Sequence, residues 1–236
     1  MYKFDVKPAD YLFSKEERES REDCKVENLV GEEAVLNSKV IDDAFERILA
    51  DFKPKHNKVI FSLCSSSRPY ILSQKWKSFH EHFGDVADLV ICSNGGIIPI
   101  EYMCCFPFMQ YDAHRANAGT DQLYKDKMKD KLQRFLDKFG SNYEIIIYSF
   151  LPSSRNAEAI REMNGAGGIL LPSKEVYRDI IDNGCPGVNS RRYPQCARQA
   201  IKEMAEHLKV EVDLPFSSRQ RHLFEKVTYN NNGKEE

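Results

Sequence analysis

No apolar run in this sequence approaches the roughly 20 residues that a membrane-spanning helix needs. Its start, Met1-Tyr2-Lys3-Phe4-Asp5, lacks the apolar core of a secretory signal. A cytoplasmic protein without a membrane partner is expected. Its seven cysteines include no Cys-x-x-Cys pair, which leaves zinc ribbons and the Cys-x3-Cys-x-x-Cys cluster site of radical enzymes unsupported. Adjacent Cys104-Cys105 cannot offer metal-ligand spacing alone, and the odd, scattered count fits a reducing compartment better than a disulfide framework. No cofactor is expected. There is no charge excess either: 34 Lys and Arg against 36 Asp and Glu leave a net charge of -2. Any attraction for a polyanion must therefore come from a local patch. No repeat period shows.

What is present fits one α/β domain, since 236 residues can bury a single sizeable core. Residues 1–36 are rich in charge and predict an extension that packs on the core. Asn37 or Ser38 is placed to cap a helix carrying Val40, Ile41, Ala44, Ile48 and Phe52 on one face, ending near Pro54. Four short apolar runs then predict buried strands: Val59–Cys64, Ala87–Cys92, Tyr143–Phe150 and Gly168–Leu171. Helical patterns alternate with them at Tyr70–Phe83, Asp121–Phe139, Ser153–Met163 and Tyr193–Leu208. The expected architecture is a three-layer α/β/α sandwich over residues 37–225, with a mostly parallel four-stranded sheet and the site at the carboxyl ends of its strands. Residues 226–236 read as a disordered tail. Within the core, Ser93–Thr120 is the longest segment without periodicity, and loops of that length are usually functional.

The run Leu63-Cys64-Ser65-Ser66-Ser67-Arg68-Pro69-Tyr70 leaves the first predicted strand as a polar loop and enters a helix. Cys64 there is either a nucleophile or a small buried residue lining a pocket. The following helix start and Arg68 both favour a thiolate. Ser65, Ser66 and Ser67 are candidate ligand donors, or else turn and cap formers.

Cys64-x3-Arg68-Pro69-Tyr70-x2-Ser73 resembles a motif of archaeosine synthase, the archaeal tRNA-modifying enzyme, whose pattern is Pro-Cys-x3-Lys-Pro-Tyr-x2-Ser-x2-His. Ser93-Asn94-Gly95-Gly96-Ile97-Ile98-Pro99-Ile100-Glu101 is similar to the family's Ser-Pro-Leu-Gly-Val-Val-Pro-Arg-Glu, and Phe106-Pro107-Phe108-Met109-Gln110-Tyr111-Asp112 to its Tyr-Pro-x3-Tyr-Asp. The three occur in the family's order, between Val59 and Leu171. The chain departs at Leu63 for Pro, Arg68 for Lys and Trp76 for His. It is also too short to hold the transglycosylase-like barrel and PUA module of full-length members, so it resembles the core domain alone. That core is similar to the uracil-DNA glycosylase fold. Arg68 stands where such a glycosylase would carry a water-orienting Asp, which disfavours base excision.

The resemblance implies addition of the side-chain amine of free lysine to the nitrile of a 7-cyano-7-deazaguanine base in tRNA, possibly with a transglycosylase-like partner protein. Cys64 would form a thioimidate or line the pocket. Glu101 and Asp112 would accept N–H donors of base or amine, and His114 would supply the titrating group that Trp76 does not. Tyr70 and Tyr111 would stack on a flat base, with Ser65, Ser66, Ser67, Arg68, Ser73, Ser93 and Asn94 completing substrate contacts. Arg191 and Arg192, and more distantly Arg219-Gln220-Arg221-His222, form basic clusters suited to phosphates or to solvent. Two alternatives stay open: a non-catalytic nucleobase- or nucleic-acid-binding module, and a glycosylase-like hydrolase using Glu101 or Asp112 on water.

Overall fold

A computed structural model describes residues 6–113, 118–163, 165–183 and 194–212. Its centre is a sheet of β1 (Lys58–Leu63), β2 (Asp88–Ser93), β3 (Gly96–Pro99), β4 (Ile145–Ser149) and β5 (Ile169–Leu171), in the order β3-β2-β1-β4-β5. β1, β2, β4 and β5 are parallel, and β3 folds back antiparallel on β2. The sheet thus has five strands, one more than the sequence predicts. β3 lies inside the segment read as loop because it is only four residues long and bounded by Gly96 and Pro99. As an edge strand it tolerates the proline.

The described helices are α1 (Lys15–Ser20), α2 (Glu32–Leu36), α3 (Lys39–Asp51), α4 (Gln74–Phe83), α5 (Asp121–Phe139), α6 (Arg155–Glu162), α7 (Lys174–Asn183) and α8 (Arg198–Leu208), with short 3₁₀ turns between some of them. The expected helix from Tyr70 is split into a 3₁₀ turn, Tyr70–Leu72, and α4. Ser73 makes the break by capping α4, its Oγ accepting from Trp76 N at 3.3 Å. α7 has no counterpart in the sequence reading, since Ile180 is its single buried residue.

Val59–Ser62 and all of β2 are buried at consecutive positions, which requires cover on both faces of the sheet. α5 packs against both α3 and α6, and Phe135 of α5 meets Phe61 of β1 edge-on at 5.7 Å. α4, α7 and α8 form a second group joined through the 3₁₀ turn Pro194–Cys196. The amino-terminal residues bury Leu12, Phe13, Leu29, Val35 and Leu36. Arg47 of α3 holds them, with its guanidinium 4.0 Å from the Phe13 ring and an ion pair to Glu17. Farther along, Val30 and Asp112 form a parallel bridge, with Gly31 N donating to Asp112 O and Asp112 N to Leu29 O. Among the described residues, no helix is long and apolar enough to cross a membrane.

Candidate functional site

The carboxyl ends of β1 and β2 carry the polar loop. Cys64 N donates to Cys92 O at 3.0 Å, so the ladder runs one residue past β1 and fixes the Cys64 backbone. Its thiol is pushed up by burial, against the opposing pull of the Lys75, Arg68 and Arg155 charges. After the turn, in which Ser65 Oγ donates to Ser67 O at 3.3 Å, Arg68 Nη1 returns to Ser65 O at 2.5 Å. The Arg68 guanidinium lies 4.2 Å from the Tyr70 ring centre and 4.9 Å from that of Tyr111. Its Nε is buried without an acceptor among the described residues.

Tyr70 and Tyr111, 41 residues apart, share a hydroxyl hydrogen bond of 2.5 Å, and burial pushes both phenols up. The middle motif closes on the same point. Ser93 Oγ accepts from Gly95 N at 3.1 Å and interacts with the Tyr111 phenol. A Cβ at Gly95 would come within 2.9 Å of Tyr111 Cε1, so the close approach of this turn requires glycine. All three sequence motifs therefore meet around Tyr111.

Other expected residues go elsewhere. Glu101 is not at the loop: β3 pairs Gly96 with Ser93 but Pro99 with Val90, carrying the chain back toward the amino ends of the parallel strands. There Glu101 pairs with Lys55 at 3.0 Å. Asp112 is exposed, while its backbone ties to Leu29 and Gly31. Ser73 is the α4 cap, and Ser66 is exposed. Asn94 is buried and donates to Glu32 Oε1 at 2.7 Å. His114, Arg191 and Arg192 lie outside the described residues, as do Arg219 and Arg221.

Two features of the site were not anticipated. Lys75 is only 3% exposed, and its Nζ donates to the carbonyls of Leu63 and Cys64, the latter at 3.4 Å. It forms no ion pair with a carboxylate among the described residues, and burial pulls its ammonium down to about 8. Its position is legible in retrospect, because 75, 79 and 83 follow helical spacing on the apolar face of α4. The second is Glu32, 2% exposed, which accepts from Asn94, from Thr120 Oγ1 and from Arg155 Nη2 at 2.5 Å. Burial alone would raise its carboxyl; those three donors overcome that and hold it below the usual range. Arg155 also covers the Tyr124 ring at 3.6 Å and pairs with Asp121 at 3.1 Å. Glu32 and Thr120 border a surface groove of about 470 Å³, lined also by Val30, Gly31 and Asn37.

Chemically, the loop joins a cation plane over two tyrosines, a thiol and a dry amine. Among the described residues, no three His, Cys, Asp or Glu side chains gather as metal ligands. A family model described as a domain of unknown function, DUF5591, matches residues 41–167, just over half of the chain. The chain belongs to the DUF5591 family. The match runs from α3 through α6, so it holds Cys64, Lys75, Tyr111 and Arg155 but not Glu32. No curated protein matches this DUF5591 chain. The crystal structure of AF0587, a protein of unknown function, is similar with a TM-score of 0.47 and 14% identity, over 75% of this chain and 53% of that one. This chain thus spans about half the length of that protein.

Proposed function

We propose that this DUF5591 chain is an archaeosine-synthase-like domain with a uracil-DNA glycosylase-like core, which takes a deazaguanine-type base at the carboxyl ends of β1 and β2. In this reading the base belongs to tRNA and carries a nitrile, to which the domain adds the side-chain amine of lysine. Nitrile and amine combine into an amidine with no redox change. The observation that supports it is the junction at Tyr111: residues of the three family-like motifs, Tyr70, Ser93 with Gly95, and Tyr111, converge beneath the Arg68 guanidinium. Aromatic faces beside a guanidinium plane suit a flat, hydrogen-bonding base. In this reading Cys64 supplies the nucleophile for the nitrile and Lys75 a proton carrier.

A transglycosylase-like partner that supplies tRNA contacts belongs to the same reading. The test is incubation with cyano-deazaguanine-modified tRNA and labelled lysine. Label should enter the tRNA with the parent protein, alone or with the barrel partner, and fall sharply with Cys64→Ala. No transfer under either condition overturns the enzymatic reading.

Two observations favour a second reading, a non-catalytic nucleobase-binding module. Burial pushes the Cys64 thiol up, and Trp76, fully buried against Phe79, occupies the position of the family's histidine. In that case Cys64→Ala binds the base as tightly as the parent and neither turns over. A hydrolase built on Glu101 at this loop finds no support, because Glu101 lies at the other end of the sheet.

A further inference from the structure

We infer that residues 29–32, which lie before the family match, belong to the base site as a short strap that positions Tyr111. That the ligand is a base rests on the reading above; the positioning of Tyr111 does not.

The strap begins as an extended segment, with Leu29 fully buried and Val30 54% exposed. Strict alternation would then turn Glu32 outward. Gly31 breaks it with φ 94° and ψ 144°, a backbone conformation that favours glycine, and Glu32 enters α2 only 2% exposed. Apolar side chains anchor the strap at both ends, Leu29 before it turns and Val35 and Leu36 of α2 after it.

Two sets of bonds run from these residues to Tyr111. On the main chain, Asp112 N donates to Leu29 O at 2.9 Å and Gly31 N donates to Asp112 O at 2.7 Å, so the residue that follows Tyr111 is held through both its backbone groups. Through its side chain, Glu32 accepts from Asn94 Nδ2 at 2.7 Å. Asn94 belongs to the turn between β2 and β3, whose Gly95 lies against the Tyr111 ring and whose Ser93 interacts with its phenol. Thr120 and Arg155 hold the same carboxylate from the end of the long loop and from the start of α6. Tyr111 in turn bonds the Tyr70 hydroxyl and lies beneath the Arg68 guanidinium. The family-matched residues thus supply the aromatic ring, and four consecutive residues outside the match fix both the chain beside it and the turn against it. Stacking on a base depends on such preorganisation, because a ring that must be ordered at the moment of binding binds more weakly.

A Cβ at Gly31 would meet no atom within 4 Å, so Gly31→Ala strains the backbone of the strap without a steric clash. Gly165→Ala is the matched control: Gly165 has φ 81°, also has no atom within 4 Å of a Cβ, and lies between α6 and β5. Two quantities are measured in the parent and both variants: nitration of Tyr111 by tetranitromethane, read on its peptide by mass spectrometry, and calorimetric affinity for free 7-cyano-7-deazaguanine. Tyr111 is 4% exposed in the parent. Gly31→Ala should speed its nitration and weaken base binding, each about tenfold, and Gly165→Ala should change neither by more than about twofold. Equal effects of the two variants would show a loss of global stability alone and overturn the inference. Nitration of Gly31→Ala at the parent's rate overturns it too, as does faster nitration with unchanged base affinity. Should Gly31→Ala not fold, Glu32→Ala, which removes the acceptor for Asn94, is read against the same control with the same outcomes. A parent that binds no base removes the proposed function, and nitration alone then decides the strap.

Discussion

Replacing Glu32 by alanine removes a buried carboxylate that three donors from three parts of the chain share. The Arg155 bond is charge-assisted and worth about 1.5–3 kcal/mol, with about 1 kcal/mol each from Asn94 and Thr120. Desolvation of Glu32, no longer incurred, offsets part of that sum. Arg155 is also not stranded: its side chain is 20% exposed and keeps Asp121 and the Tyr124 ring. The net loss should be about 2–3 kcal/mol, below the roughly 3–5 kcal/mol expected when a fully buried pair is broken. Urea unfolding of the parent, Glu32→Ala, Arg155→Ala and the double variant at pH 7 measures it. A coupling of about 2 kcal/mol is expected, and one below about 0.5 kcal/mol would refute the account. The pH dependence has a fixed sign. Because the folded carboxyl is held low, its contribution is complete above the ordinary glutamate range near ~4.3 and disappears as pH falls through the folded value. The gap between parent and Glu32→Ala should therefore narrow in acid. A gap that widens there would show that burial, not the donors, dominates.

Two further outcomes follow from the loop. Arg68→Lys, which restores the family-like residue, gives up the planar stack on Tyr70 and Tyr111; it should cost about 1 kcal/mol in thermal unfolding and weaken calorimetric binding of a deazaguanine base, and unchanged values in both would contradict the stacking role. Ser73→Ala should lower stability by about 1 kcal/mol through loss of the α4 cap, and an unaltered urea midpoint would show that Ser73 is not a cap in solution.

The parts of the fold legible in the sequence are those whose signal is local and long. β1, β2 and β4 are continuous apolar runs, and α5 repeats its apolar face over 19 residues, so both its ends coincide with the prediction. β3 has four residues and α7 one buried side chain, too little periodicity for either to register. The site divides in the same way. Cys64, Arg68 and Tyr70 are recognisable as a loop because they adjoin a strand end. Glu101 shows the limit of motif reasoning: it shares a motif with Ser93, yet one short antiparallel strand carries it roughly 13 Å along the sheet, at about 3.3 Å per residue. Glu32 and Arg155 are 123 residues apart, and neither has a neighbour in sequence that announces the pair.

Where the archaeosine-synthase-like pattern has histidine, this chain has Trp76. A histidine there would titrate near neutrality by itself. Tryptophan cannot, but its buried indole, packed on Phe79 at 5.8 Å, helps keep water from the adjacent Lys75. Dehydration is the largest cause of that lysine's depressed pKa of about 8. Arg68 lays its guanidinium plane over the aromatic pair, and Lys75, one residue before Trp76, is the buried amine beside the loop.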